Sequence, residues 1–132
     1  MKYMLLIYLD EEALSESDRE QCYVDSTQFA HQLSATGRYL GAAPLHPTST
    51  ATSVRVRDGR PLVTDGPFAE TREQLGGFFL VEARDLDEAI AIAAGVPAGR
   101  WGTVEIRPVV EGPGLPADSF APAQDLALPR ST

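Results

Sequence analysis

The chain contains 132 residues with a mass of 14.2 kDa, a length that suits one domain burying about two thirds of its unfolded surface. Hydrophobic residues make up 43% and charged residues 23%, close to the averages of globular proteins, which argues against a disordered chain and against a membrane protein. The net charge of −8 repels phosphate backbones and anionic lipid, so we expect neither nucleic acid nor a membrane as a partner.

The cysteine and histidine content limits the chemistry that the chain can perform. Cys22 is the only cysteine, which excludes an internal disulfide, and the only histidines are His31 and His46. With so few ligands of these types, we expect no bound metal and no cofactor. The longest apolar run, residues 4–9, is too short for a membrane span or a signal-peptide core, and we therefore expect a cytoplasmic protein.

The N-terminal part of the sequence predicts a strand, a helix and a second strand. Residues 3–9 are apolar on both faces, which is typical of a central strand covered on both sides. Ser17 and Glu20 form a capping-box pattern, and apolar residues then continue at helical spacing up to Gly37. Residues 38–45 predict the next strand.

A hairpin and a second central strand follow. Residues 52–57 alternate between apolar and polar side chains, the pattern of a strand with one solvated face. Asp58-Gly59 is a turn signal, and residues 62–64 return as the hairpin partner. Residues 77–81 are again apolar on both faces and predict a strand in the middle of the sheet.

The last predicted elements are a helix and a strand. Asp85 and Glu88 form a capping box before a regular apolar stripe that ends at Gly95. Residues 103–110 alternate and predict a final strand. Beyond it, the composition changes to proline, alanine, glycine and serine, which predicts a flexible tail.

We therefore expect one domain over residues 1–110 and a tail over residues 111–132. The element order matches an α+β, ferredoxin-like split β-α-β arrangement with an inserted hairpin. Because both helices of that fold lie on one face of the sheet, the strands that are apolar on both faces need a second cover. A second copy packed sheet to sheet is the simplest cover, and the tail or the hairpin folded over that face is the alternative.

The densest group of polar residues lies between the hairpin and the second central strand. Asp65, beside a Gly-Pro turn, is a candidate general base, and shaping the turn is the alternative role for its carboxylate. Glu70 and Glu73 are candidates to orient a ligand or to cap a short helix. The segment therefore predicts a binding loop at the mouth of a cavity.

Other titratable residues have weaker claims to a site. His46 lies in a loop, where it would act as an acid or base near neutral pH or remain an ordinary loop residue. Arg107 shares a strand face with Glu105, and either binds an anion or pairs with that carboxylate. His31 flanks the apolar stripe of the first helix and is expected to face solvent, whereas Cys22 is expected in the core.

The loop also carries a family resemblance. Residues 63–79, with Thr-Asp-Gly-Pro-Phe-Ala-Glu-Thr followed by Glu-Gln-Leu-Gly-Gly-Phe, closely resemble the DGPF-motif branch of the YCII-related proteins. Supporting matches lie at residues 2–8, 51–59, 87–89 and 102–108. The resemblance covers residues 1–110, and a motif of this length is specific for the family without being specific for a reaction.

The resemblance implies a ferredoxin-like subunit that assembles as a dimer of the α/β-barrel type. Some YCII relatives resemble small lyases or dehydrochlorinases that use a His–Asp pair beside the dimer cavity. Asp65 matches the aspartate of the DGPF motif, while neither His31 nor His46 aligns with such a histidine. The family also implies an association with sigma-factor-dependent transcription control.

Two functions follow as hypotheses. The first is a small-molecule-binding homodimer with a lyase-like site at the loop, in which Asp65 is the base, Glu70 and Glu73 position the ligand, and Arg107 or His46 completes the site. It predicts that Asp65→Asn abolishes ligand binding and leaves the fold intact. The second is a non-catalytic regulatory protein that binds a protein partner through its acidic body and proline-rich tail.

Overall fold

Two α-helices and six strands, together with three short 3-10 helices, form over residues 1–112, the part of the chain that the computed structural model describes. Of the tail predicted over residues 111–132, only Glu111 and Gly112 lie within the described residues. In chain order the elements are β1 (Lys2–Leu9), α1 (Glu16–Ala35), β2 (Tyr39–Pro44), β3 (Thr52–Arg57), β4 (Arg60–Asp65), β5 (Gln74–Glu82), α2 (Leu86–Ala94) and β6 (Gly102–Pro108).

Four of the strands form one antiparallel sheet in the order β2-β5-β1-β6, and β3 pairs with β4 in a separate hairpin. The strands that are apolar on both faces, β1 and β5, occupy the two central positions. Setting the hairpin aside, this order is that of a ferredoxin-like fold, and the predicted α+β class is confirmed.

The hydrophobic core lies between the two helices and one face of the sheet. Leu5 in β1 is fully buried and stands opposite Phe79 in β5. The ring of Phe29, from α1, meets the ring of Phe79 edge-on with centroids 5.4 Å apart. Because β1 side chains alternate between faces, Met4 and Leu6 lie on the face opposite this core.

The caps decide where the helices begin. Asp85 caps α2 as predicted, and its carboxylate accepts the backbone N–H of Glu88 at 2.9 Å. The start predicted for α1 at Ser17 is wrong, because Ser15 is the N-cap and its hydroxyl accepts the N–H of Asp18 at 3.1 Å. Burial of Leu14 fixes the residue before this cap, so the helix begins two residues earlier.

A charged cluster joins the start of α2 to the segment before β2. The Glu88 carboxylate contacts the guanidinium groups of Arg38 and Arg84, each at 3.2 Å, and accepts the Arg84 backbone N–H at 3.1 Å. The hydrogen bond from Arg38 is the largest cause of a lowered pKa at Glu88, followed by the backbone hydrogen bond. The folded state therefore favours the ionised carboxylate.

This lowered pKa predicts acid sensitivity. A carboxylate whose pKa falls on folding stabilises the protein above its ordinary pKa of 4.5, and the contribution is lost as the pH falls through the folded-state value. We expect Glu88→Gln to be less stable than the wild type in urea unfolding at about pH 7, with the difference vanishing near about pH 2. Glu20→Gln, at an exposed position of α1, is the control. A Glu88→Gln deficit that persists unchanged in acid would contradict the prediction.

Candidate functional site

A cavity of about 380 Å³ lies between α1 and the sheet, on the side of β2 and β5. Large apolar side chains contribute only part of its wall, and its other residues, apart from His31, are small or carry hydroxyl groups. The lining comprises Ile7, Leu9, Cys22, Tyr23, Ser26, Thr27, Ala30, His31, Ser34, Tyr39, Ala42, Ala43, Pro44, Gly76, Gly77, Phe78, Phe79 and Ala98.

Small residues on both walls explain why the core leaves this space open. Residues four apart lie on one face of a helix, and the row on α1 that lines the cavity is Cys22, Ser26, Ala30 and Ser34, beside the core residues Phe29 and Leu33. The facing wall carries Ala42, Ala43, Gly76 and Gly77. Gly77 is required there, because a Cβ at this position would meet the Ala43 carbonyl oxygen at 2.8 Å.

The lining suits an uncharged ligand that carries hydrogen-bonding groups. Ile7 and Phe79 supply apolar surface, whereas Ser26 and Tyr39 supply hydroxyl groups. Among the described residues that line the cavity, none is aspartate, glutamate, lysine or arginine. His31 is the only histidine in this lining, and it is exposed at the surface side of α1.

Cys22 contributes its side chain to the cavity wall as a neutral thiol. The residue is 8% exposed, as the sequence predicts for a core position, and burial is the largest cause of a raised thiol pKa. A hydrogen bond with Ser26 opposes that shift. Because the thiolate is the nucleophilic form, Cys22 packs in this structure as an apolar wall residue with low reactivity.

The loop over residues 65–73, which begins with Asp-Gly-Pro-Phe, is here called the DGPF loop. A second cleft, of about 570 Å³, lies where this loop meets the segment after β2. Tyr8 stands opposite Leu75 in β5 and Thr103 in β6, so this cleft lies on the face of the sheet away from the helices. His46 lines it. The neighbouring Thr48 is held by its backbone N–H, which donates to the Glu11 carboxylate at 2.9 Å.

The predicted loop residues do not converge on one cavity of the single chain. His46 lines the cleft, and Glu73 lines a shallow depression beside it, where its carboxylate accepts the Thr103 hydroxyl at 2.9 Å. Asp65, the last residue of β4, and Glu70 are both exposed and line neither cavity nor depression.

Arg107 takes the pairing alternative that the sequence left open. Its guanidinium lies 3.7 Å from the carboxylate of Glu105 on the same strand, and both side chains are largely exposed. An exposed pair of this kind contributes little to stability. Arg107 lines neither the cavity nor the cleft.

Sequence reasoning missed the cavity residues of α1. Ser26, Ala30 and Ser34 are small side chains spaced four residues apart. This pattern indicates a helix face that fills little space against the sheet. Tyr23, Thr27 and His31 form a parallel row one residue along.

The predicted absence of a metal site stays a prediction, and residues 1–112 contain no group of three or more histidine, cysteine, aspartate or glutamate side chains that could hold a metal ion. None of the helices described here has both the length and the apolar character needed to cross a membrane.

Comparison with known proteins identifies the family. The model of the YCII-related domain matches residues 1–112. The chain belongs to the YCII-related family. This YCII-related protein is 36% identical over 114 residues to an uncharacterized protein of Rhizobium meliloti (strain 1021), a match that spans 83% of this chain and 92% of the relative.

A solved structure supports the same fold. The 5-chloro-2-hydroxyhydroquinone dehydrochlorinase of Burkholderia phenoliruptrix AC1100, in complex with 2,5-dihydroxybenzoquinone, superposes on this YCII-related chain with a TM-score of 0.51. The match covers 85% of this chain and 96% of the other at 15% sequence identity. A likeness at that identity establishes the common ferredoxin-like fold.

Proposed function

We propose that this YCII-related protein is a small-molecule-binding homodimer whose ligand occupies the cavity beneath α1. The observation that carries the proposal is a cavity of about 380 Å³ at a place where a helix and a sheet ordinarily pack closely. The cavity opens to solvent along α1, where the lining residues Thr27, His31 and Ser34 are exposed, so a ligand can enter it. A cavity lined by apolar surface and a few hydroxyl groups is the usual form of a small-molecule site.

The cavity sets the size and polarity of the ligand. An engineered cavity of about 150 Å³ is known to hold benzene, so the space beneath α1 accommodates about two fused rings. The absence of Asp, Glu, Lys and Arg from the described lining favours a neutral molecule, and the hydroxyl groups of Ser26 and Tyr39 favour one that carries oxygen. The dehydrochlorinase of similar fold was solved with 2,5-dihydroxybenzoquinone, a ring that also carries oxygen atoms, which supports an oxygenated ring as the ligand class.

The dimer is proposed from the face of the sheet that the described helices leave uncovered. Met4 stands opposite Leu80, and Leu6 stands opposite Phe78, all on the face away from the core between helices and sheet. Leu80 is buried within the single chain, whereas Met4, Leu6 and Phe78 are only half-buried. Apolar residues on both faces of a central strand require a cover on both sides. A second copy packed on this face satisfies the requirement and corresponds to the dimeric α/β-barrel expected from the sequence.

A lyase-like reaction at the DGPF loop is a separate proposal. A general base must reach the proton it removes, directly or through one water molecule. Asp65 is exposed and lines neither the cavity beneath α1 nor the cleft at the DGPF loop, so its role as a base depends on a second subunit closing over the loop. The cytoplasmic location expected from the sequence is part of the same proposal.

The regulatory function connected with sigma-factor-dependent transcription is the second candidate, favoured by the exposed hairpin of β3 and β4. Native mass spectrometry of the freshly purified full chain distinguishes the two candidate functions. A co-purified small molecule supports the first candidate. A chain that carries no added mass and binds no ring compound favours the second.

A paired-ligand titration tests the site directly. We expect the full chain to bind β-naphthol with a Kd of about 10–100 µM, an ordinary efficiency for so small a ligand, and to bind naphthalenesulfonate at least about tenfold more weakly because its charge would be buried without a partner. Cys22 reports the location, since it lines the cavity and is the only cysteine. Alkylation of this weakly reactive thiol by iodoacetamide is slow, and bound β-naphthol is expected to slow it further. Binding that leaves the alkylation rate unchanged would place the ligand elsewhere.

A further inference from the structure

The β3–β4 hairpin is the least supported element of the described chain. No residue of either strand is buried, and Ser53 is the only one that is even half-buried. The base of the hairpin is closed by the Ser53 hydroxyl, which donates to the Gly66 carbonyl at 2.7 Å, and by the Gly66 N–H, which donates to Ala51 at 2.8 Å. A two-stranded ribbon by itself is only marginally stable in water.

The two faces of the hairpin differ in chemistry. Val54 stands opposite Val63, and Val56 stands opposite Pro61, so these four side chains form one apolar face, here called the valine face. The side chains of Val54, Val56 and Val63 are 60%, 61% and 62% exposed. An apolar face on a ribbon that is exposed on both sides requires a partner surface.

The opposite face of the hairpin is basic. Arg55 stands opposite Leu62, and Arg57 stands opposite Arg60. The Arg55 guanidinium lies 5.6 Å from the centroid of the Phe68 ring, which is itself exposed. Three arginines and two aspartates over residues 52–65 give the hairpin a net positive charge on a chain whose total charge is −8.

We propose that the hairpin is a dimerisation arm, whose valine face packs against a second copy of this chain. Charge complementarity favours that occupant: Arg55, Arg57 and Arg60 lie on the face opposite the valine face, at the rim of the contact, where the acidic remainder of a second copy attracts the arm as a whole. In a two-fold symmetric dimer, the arm of each subunit packs against the other subunit, so the same contact occurs twice and covers both valine faces. This inference depends on the homodimer of the proposed function, and it adds a contact that stabilises that dimer.

Two pairs of lysine substitutions test the arm. In the first variant, Val54→Lys is combined with Val63→Lys on the valine face. In the second, Leu62→Lys is combined with Thr64→Lys on the other face of the same strand pair. Since none of the four side chains is buried in the described chain, both variants are expected to fold, which far-UV circular dichroism checks.

Sedimentation of the full chain over a range of concentrations gives the dimer Kd. We expect the wild type to be dimeric, the Val54→Lys and Val63→Lys variant to dimerise on the order of 100-fold more weakly, and the Leu62→Lys and Thr64→Lys variant to change the Kd less than about fivefold. The wild-type dimer is also expected to weaken as the salt concentration rises.

The other outcomes separate the arm from the dimer itself. If both lysine variants dimerise as the wild type does, the arm is wrong and the dimer stands on the sheet face alone. A wild-type chain that stays monomeric up to about 0.5 mM overturns both. Hairpin amides that exchange slowly in such a monomer would assign the valine face to another segment of the same chain.

Discussion

Leu5→Ala is expected to lower the free energy of unfolding by about 3 kcal/mol, within the range measured for buried leucines in other proteins. Leu5 is fully buried in the middle of β1 and belongs to the core that the sheet shares with both helices. The substitution removes three carbon atoms at a position enclosed by Phe79 in β5 and Ile106 in β6. The loss therefore combines the transfer free energy of the side chain with the cost of a cavity.

Leu62→Ala is the matched control, because the same atoms are removed from a side chain that is 50% exposed on the hairpin. We expect a change smaller than about 0.5 kcal/mol in the monomeric chain. Urea unfolding followed by circular dichroism, at a concentration below the dimer Kd, measures both variants. Equal losses for Leu5→Ala and Leu62→Ala would mean that the core does not lie where the described structure places it.

The sequence predicts the sheet well because burial leaves a readable pattern in it. Residues 3–9 and 77–81 are apolar at both odd and even positions, and only central strands covered on two faces require that. The turn at Asp58-Gly59 is equally local. Both residues have positive φ values, 53° and 74°, which is the conformation that a two-residue hairpin turn needs.

The start of α1 could not be fixed from the sequence, because two capping patterns overlap. Ser15 precedes Asp18 by three residues, and Ser17 precedes Glu20 by three residues. Both serines can accept a backbone N–H, so local chemistry does not choose between them. The choice depends on the burial of Leu14, which is a tertiary contact.

The candidate site was less predictable because it depends on how elements pack. Asp65, Glu70 and Glu73 are close in sequence, but Asp65 ends a strand of the hairpin while Glu73 adjoins β5 of the main sheet. The cavity instead joins α1 to β2 and β5, elements that are distant in sequence. A row of small residues on a helix indicates a site only once the facing wall is also known to be small.

Ala30→Leu is expected to weaken β-naphthol binding by at least about 30-fold, because the added carbon atoms fill space that the ligand would occupy. Ala30 is half-buried and packs against the core, so a larger apolar side chain there replaces ligand contacts with intramolecular ones. We therefore expect the free energy of unfolding of the unliganded chain to stay within about 1 kcal/mol of the wild type or to rise. Fluorescence titration and urea unfolding measure the two quantities.

Two further variants are controls that test where β-naphthol binds. Ala35→Leu makes the same change at an exposed position of the same helix, outside the cavity lining, and is expected to bind β-naphthol as the wild type does. Asp65→Asn tests the loop in the same titration. The loop hypothesis from the sequence predicts that this substitution abolishes binding. Because the Asp65 carboxylate lines neither the cavity beneath α1 nor the cleft, we expect its loss instead to change the β-naphthol Kd less than about threefold. A loss of binding in Asp65→Asn together with full binding in Ala30→Leu would move the ligand from the cavity beneath α1 to the DGPF loop.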